Sequence, residues 1–163
     1  MKIAITGTPG VGKTTISKKL GEHYNSKVLN EKEFALKQGI GKFDTEENEL
    51  VVPLEKLEAK VNEVLKKEQD FILEGHLLCE IRGKFDLVVL LTCDPELLES
   101  RLNKRGYKAE KIQDNVFCEG IEYCKKHVQR NYKKEKVIEI KSRKTIKETI
   151  DAIVTEINRR KKK

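Results

Sequence analysis

The chain has 163 residues, a formal charge of +7, and hydrophobic and charged residues at 37% each. That length can bury one core without disulfides or a structural metal, and the composition is that of a globular chain with a strongly charged surface. The positive charge favours anionic partners such as nucleotides or RNA but does not choose among them.

The cysteines and the hydropathy pattern restrict the compartment. Cys79, Cys93, Cys118 and Cys124 include no CxxC pair, which argues against a zinc site and favours reduced cysteines that pack in the interior. No apolar run approaches the ~20 residues that a membrane span needs. Because the chain begins with strand-forming residues, we expect no signal peptide. We therefore expect a cytoplasmic protein without a membrane partner.

Apolar spacing along the chain predicts strands that alternate with helices. The predicted strands cover residues 2–6, 26–29, 70–73, 86–91 and 136–140. The predicted helices cover residues 13–24, 31–37, 54–67, 95–104, 108–133 and 145–160. This alternation predicts one three-layer α/β domain over residues 1–163, with a five-stranded parallel sheet and helices on both faces.

Residues 7–14, GTPGVGKT, fit the phosphate-binding motif G-x-x-x-x-G-K-[ST] at every fixed position. A predicted buried strand precedes the loop and a predicted amphipathic helix follows it. The glycines let backbone N–H groups close around phosphate oxygens, and the helix directs its positive end towards them. Lys13 then reaches the β- and γ-phosphates, and the Thr14 hydroxyl can bind Mg²⁺. The predicted nucleotide-binding residues are Gly7, Gly10, Val11, Gly12, Lys13, Thr14 and Thr15.

A basic helix end follows the fourth predicted strand. Arg101 and Arg105 lie four residues apart, on one helix face, and Gly106 can end the helix. Arginines near the γ-phosphate lower the barrier to phosphoryl transfer, although a solvated basic surface is the alternative interpretation. Residues 103–106 are the nearest match to the guanine-binding motif Asn-Lys-x-Asp and lack its aspartate, so ATP is the expected donor.

Three groups of residues resemble one family. They are GTPGVGKTT at residues 7–15, the Gly75-His76 pair, and RGY-x-x-x-K-x-x-DN-x-x-CE from Arg105 onwards. Together they resemble the atypical adenylate kinases of archaea and eukaryotes, the isoenzyme-six type that includes the coilin-interacting nuclear ATPase. The resemblance runs from residue 2 to about residue 134, and its third group is the most specific.

The resemblance implies a P-loop NTPase fold of the nucleoside monophosphate kinase type, with a monophosphate-binding excursion at residues 30–53 and a short lid at residues 103–113. It implies that Lys13 and Arg105 are catalytic, with Arg105 as a lid arginine that also binds the nucleotide. It places Glu74 and His76 at the family's Asp-x-His motif. There the acidic residue helps Thr14 to hold Mg²⁺, and the histidine orients the acceptor or an attacking water.

Two positions depart from the family pattern. Glu74 stands where the family usually has aspartate, so its carboxylate lies one methylene further from the backbone. The arginine that would bind AMP, expected near Leu36, is absent. Lys37 can replace it only as a point charge, because a lysine lacks the guanidinium fork.

The resemblance implies the reaction ATP + AMP ⇌ 2 ADP together with ATPase activity. It also implies a role in maturation of the small ribosomal subunit, with a ribosomal protein of the S-eleven family and pre-ribosomal RNA as partners. The basic run at residues 159–163 would be the segment that contacts RNA. Two alternatives remain open at this point: an assembly ATPase with little kinase activity, and a small-metabolite kinase of the same fold.

Overall fold

The computed structural model describes residues 1–143 and 145–162. Its strands are β1 (Lys2–Thr6), β2 (Lys27–Asn30), β3 (Lys42–Asp44), β4 (Glu49–Val51), β5 (Phe71–Glu74), β6 (Leu87–Thr92) and β7 (Val137–Lys141). Its helices are α1 (Lys13–Tyr24), α2 (Glu31–Gln38), α3 (Leu54–Lys67), α4 (Pro95–Lys104), α5 (Ala109–Gly120), α6 (Tyr123–Asn131) and α7 (Ile146–Lys161).

The central sheet contains five parallel strands in the order β2-β5-β1-β6-β7. Successive residues of β1 point to opposite faces, so Ala4 packs with α2, α3 and α6 while Ile3 and Ile5 pack with α1, α4, α5 and α7. Both faces of the sheet are thereby covered, as a parallel sheet requires. The predicted three-layer α/β fold is confirmed.

The predicted excursion at residues 30–53 contains the predicted helix α2. It also contains a small antiparallel hairpin that was not predicted from the sequence. The hairpin pairs β3 with β4, so that Phe43 lies opposite Leu50 and Asp44 lies opposite Glu49. The Asp44 carboxylate accepts backbone N–H groups from Glu46 at 2.9 Å and Glu47 at 3.2 Å, which closes the turn.

The prediction of a single long helix over residues 108–133 is wrong. The chain forms α5 and α6 instead, and the break lies at Ile121 and Glu122, where Glu122 adopts a left-handed conformation with φ 57°. The break changes the helix direction, so that α6 buries Cys124 and Val128 against the opposite face of the sheet from α5.

The last helix, α7, begins with a capping box between Thr145 and Glu148. Its final turn includes Arg159 and Arg160, so the basic run expected at residues 159–163 is helical through Lys161. Lys163 lies outside the described residues. Within the described ranges, no helix combines the length and apolarity that crossing a membrane requires.

Candidate active site

The P-loop occupies residues 7–14, between the central strand β1 and helix α1. Gly12 immediately precedes α1 with φ 107°, a backbone conformation that side chains resist. At Gly7, φ is also positive, and an added Cβ would overlap the carbonyl oxygen of Leu91 in β6. These two glycines let the loop turn tightly over the carboxyl ends of the strands, at the start of α1.

Lys13 lies at the centre of the loop with only 8% of its surface exposed. Its Nζ donates hydrogen bonds to the carbonyl oxygens of Gly7 at 2.9 Å and Thr8 at 3.0 Å. Burial removes water from the ammonium group and so lowers the pKa of Lys13, an effect that the carboxylates of Glu31 and Glu74 oppose. The loop therefore holds an ammonium group where an anion would compensate its lost hydration.

Glu74 ends β5 and is 2% exposed. Its Oε1 accepts hydrogen bonds from the Thr14 hydroxyl at 2.9 Å and from the Asn30 amide at 2.7 Å. The structure thus brings together Thr14 and Glu74, the residues that the sequence predicts for Mg²⁺. Asn30, the last residue of β2, holds the carboxylate from the other side and was not predicted from the sequence.

The Nδ1 atom of His76 lies 3.0 Å from Oε1 of Glu31, the first residue of α2. The Glu31 side chain is 3% exposed and also accepts the backbone N–H of Leu77, at 3.0 Å to Oε2. A Cβ at position 75 would overlap this carboxylate, so the glycine leaves the space that the Glu31 side chain occupies. The His76 side chain, by contrast, is 43% exposed. A buried carboxylate therefore holds one edge of the ring, while the rest of the ring stays accessible.

Glu119 connects the P-loop to the end of β6. Its carboxylate accepts hydrogen bonds from the Thr8 hydroxyl at 2.6 Å and from the Cys93 backbone N–H at 2.8 Å. Glu119 is the last residue of the sequence pattern RGY-x-x-x-K-x-x-DN-x-x-CE, but the sequence alone assigned it no role. Helix α5 thus positions the loop through a carboxylate that lies 111 residues beyond Thr8.

The two arginines of α4 occupy different environments. Arg101 donates to the carbonyl oxygen of Val11 at 3.3 Å and to the Ser142 hydroxyl at 3.2 Å, so it braces the P-loop against the residues after β7. Arg105 is exposed at the end of α4. It borders a cavity together with Gly12 of the P-loop.

Two cavities border different residues of the P-loop. The first, about 230 Å³, is bordered by Gly10, Gly12, Thr15, Arg105, Ser142, Arg143, Thr145, Ile146 and Thr149. The second, about 420 Å³, is lined by residues of the P-loop, α2, β4, α5 and α6, and by the segment after β5. Its lining includes Thr8, Pro9, Lys32, Glu49, His76, Tyr107, Lys111, Asp114, Asn115 and Tyr123.

The four cysteines are unpaired thiols, and Cys79, Cys93 and Cys124 are buried. Cys124 lies beside the P-loop, with its Sγ 3.9 Å from the Thr8 hydroxyl. The described residues contain no group of three or more His, Cys, Asp or Glu side chains that could hold a metal ion.

Comparison with known proteins identifies the family. Residues 3–122 match the family described as "AAA domain". The chain is 42% identical over 128 residues to a "Putative adenylate kinase" of Methanocaldococcus jannaschii, covering 76% of this chain and 70% of that protein. It is 38% identical over 160 residues to a "Putative adenylate kinase" of Thermococcus kodakarensis, covering 98% of this chain and 86% of the relative. The chain belongs to the atypical adenylate kinase family.

Solved structures agree with this family assignment at the level of the fold. A shikimate kinase from Bacteroides thetaiotaomicron matches with a TM-score of 0.69 at 17% identity, covering 97% of this chain and 98% of that chain. A deoxyadenosine kinase from M. mycoides with bound dATP matches with a TM-score of 0.60 at 19% identity, covering 97% of this chain and all of that chain. The predicted P-loop kinase fold is confirmed. The ATP-dependent phosphotransferase class follows from the family membership.

Proposed function

We propose that the protein transfers the γ-phosphoryl group of ATP to AMP or another nucleoside monophosphate. The observation that carries this proposal is that two separate cavities border the P-loop. Gly10 and Gly12 border the 230 Å³ cavity, whereas Thr8 and Pro9 border the 420 Å³ cavity. Direct transfer needs a donor and an acceptor that meet at one phosphate, and two cavities that both border the phosphate-binding loop suit that arrangement.

The donor phosphates bind to the P-loop in this proposal, and Lys13 exchanges its two carbonyl partners for phosphate oxygens. Arg105 lies at the border of the smaller cavity and adds positive charge from the lid side. Both cations neutralise the charge that spreads over the equatorial oxygens in the transition state. Transfer is in line and forms no covalent intermediate with the protein.

Thr14 and Glu74 would hold Mg²⁺. Their oxygens already lie 2.9 Å apart, and oxygen is the ligand type that Mg²⁺ prefers. Mg²⁺ usually keeps several waters and binds substrate phosphates, so these two side chains suit it without a larger protein cage. When bound, the ion supplies charge neutralisation at the phosphate oxygens.

His76 orients the acceptor. Because its Nδ1 proton is directed at Glu31, Nε2 is the ring nitrogen that remains for the acceptor phosphate or for an attacking water. The partial exposure of His76 allows water to reach this position, which supports ATP hydrolysis as a second activity.

The kinase proposal is tested by turnover with ATP and Mg²⁺, with and without AMP, on the wild type and His76→Ala. His23→Ala serves as the matched control, because His23 lies on α1 and lines neither cavity. We expect AMP to raise ADP formation well above the rate without AMP, and His76→Ala to reduce it. Release of phosphate alone, insensitive to AMP, would instead identify an ATPase, and transfer to shikimate but to no nucleotide would identify a small-metabolite kinase.

The family resemblance extends the proposal to small-subunit maturation, with an S-eleven-type ribosomal protein and pre-ribosomal RNA as partners. At the end of α7, Arg160 donates to the carbonyl oxygens of Glu135 and Val137 and, like Arg159, pairs with Glu156. Deleting residues 159–163 would therefore disturb α7 itself. Lys161 lies over the Tyr24 ring, 5.3 Å from its centroid, and is best left in place. Replacing Lys162 and Lys163 by glutamine is the cleaner test, and it should weaken RNA binding without lowering thermal stability.

A further inference from the structure

An ion pair joins the two segments that flank the larger cavity. Lys111 of α5, in the predicted lid, pairs with Glu49 of β4, in the predicted monophosphate-binding excursion. Their side chains are 40% and 46% exposed, and both residues line the 420 Å³ cavity. The pair therefore forms part of the cavity wall.

The cavity contains few cations that could bind the acceptor phosphate. Leu36, near which the family arginine is expected, is 67% exposed, and neither Leu36 nor Lys37 lines the cavity. Among the described lining residues, the lysines are Lys32 and Lys111. Lys111 belongs to α5, the same helix whose Glu119 holds the Thr8 hydroxyl, so the helix fixes the backbone of Lys111 relative to the P-loop.

Glu49 is a replaceable partner for Lys111. An ion pair between half-exposed side chains is weak, because water screens it and both side chains lose conformational freedom. A phosphate monoester carries up to twice the charge of a carboxylate and attracts an ammonium group more strongly at the same distance. Glu31, by comparison, is almost completely buried against His76 and Leu77 and is not available for such an exchange.

We propose that Lys111 binds the phosphate of the acceptor and that Glu49 competes with that phosphate for Lys111. This inference rests on the proposed kinase function and specifies its substrate class: a phosphorylated acceptor displaces Glu49, whereas a nucleoside without a phosphate leaves the ion pair closed. The residue pair thus selects monophosphates over nucleosides and replaces the absent arginine from a different helix.

The two partners are predicted to act in opposite directions. We expect Lys111→Met to weaken AMP binding by about tenfold or more, because a charge-assisted contact to the phosphate is lost. We expect Glu49→Gln to tighten AMP binding by about threefold, because the competing carboxylate is removed. Adenosine binding should change little in either variant. The measurement is the dissociation constant of AMP and of adenosine by isothermal titration calorimetry.

Lys27 and Glu68 provide the matched control pair. They form an ion pair of similar exposure at 3.1 Å, and neither residue lines the larger cavity. Lys27→Met and Glu68→Gln should leave the AMP dissociation constant unchanged. Weakening of AMP binding by both Lys111→Met and Glu49→Gln would overturn the proposal, because it would make the pair a structural tie. Unchanged affinity in both variants, or no AMP binding by the wild type, would also overturn it.

This binding experiment separates the inference from the proposed function. If AMP binds with the predicted opposite shifts and yet no ADP forms from it, the role of Lys111 stands and the kinase proposal fails. If ADP forms from AMP and the opposite shifts are absent, the kinase proposal stands and the role of Lys111 fails.

Discussion

The buried carboxylate of Glu31 binds one ring nitrogen of His76 and so determines which nitrogen is left for the 420 Å³ cavity. We predict that Glu31→Gln lowers the rate of ADP formation on the order of tenfold, the usual cost of removing a partner that orients a functional histidine. The amide keeps the size of the side chain but loses the negative charge and has one oxygen, whereas the carboxylate places Oε1 at His76 and Oε2 at the backbone N–H of Leu77. Steady-state kinetics should show a reduced kcat with little change in the KM for ATP.

A double variant tests whether Glu31 acts through His76. Adding His76→Ala to Glu31→Gln should cause no further loss beyond that of His76→Ala alone, because both changes remove the same oriented ring. Glu33→Gln is the matched control, since Glu33 lies exposed on the same helix. Multiplied losses in the double variant would show that Glu31 does not work by positioning His76.

Helix α5 supports the P-loop through one side chain, that of Glu119. We predict that Glu119→Ala lowers the free energy of unfolding by about 1–3 kcal/mol, because the Thr8 hydroxyl and the Cys93 N–H lose their acceptor. The loop should also bind ATP less tightly, since Thr8 is no longer tied. Urea unfolding and ATP titration measure the two effects. Glu110→Ala, at an exposed position of α5, should change neither, and equal effects of both variants would contradict the prediction.

The elements were predictable from sequence wherever a local pattern defines them. Helices α1, α3 and α4 have the predicted bounds, since each shows a regular apolar stripe with clear ends. Strands β2, β5, β6 and β7 begin and end one residue later than predicted. Strand β5 shows one reason: a charged residue such as Glu74 predicts the end of a buried strand, but hydrogen bonds from Thr14 and Asn30 allow Glu74 to be buried as its last residue.

The break between α5 and α6 could not be read from the sequence, because helix-forming residues continue through it. Cys124 and Val128 pack on one face of the sheet and Ile112 on the other, so the turn at Glu122 is imposed by tertiary packing. The same reason explains the site residues that were missed. Lys13 and Thr14 stand in a contiguous motif, whereas Glu31 and Glu119 act on groups 46 and 111 residues away.

At the scale of the whole molecule, the surface charge is opposite in sign to that of both proposed substrates. The net charge of +7 attracts polyanions over distances that depend on ionic strength, and it does so without distinguishing nucleotides from RNA. Discrimination has to come from the shape of the two cavities and from the groups that line them. A ligand that fills both cavities at once therefore tests the architecture more directly than either substrate alone.

A dinucleoside polyphosphate is such a ligand, with two nucleosides joined by a phosphate chain that would cross the P-loop. We predict that it inhibits competitively against both ATP and AMP, because it occupies the cavity beside Gly12 and the cavity beside Thr8 together. At a hundredfold excess over its dissociation constant it stabilises the folded state by about 2.7 kcal/mol, which raises the thermal midpoint by roughly 5–10 °C. Inhibition kinetics and thermal unfolding measure these effects. Competition with ATP but not with AMP would place the acceptor outside the 420 Å³ cavity.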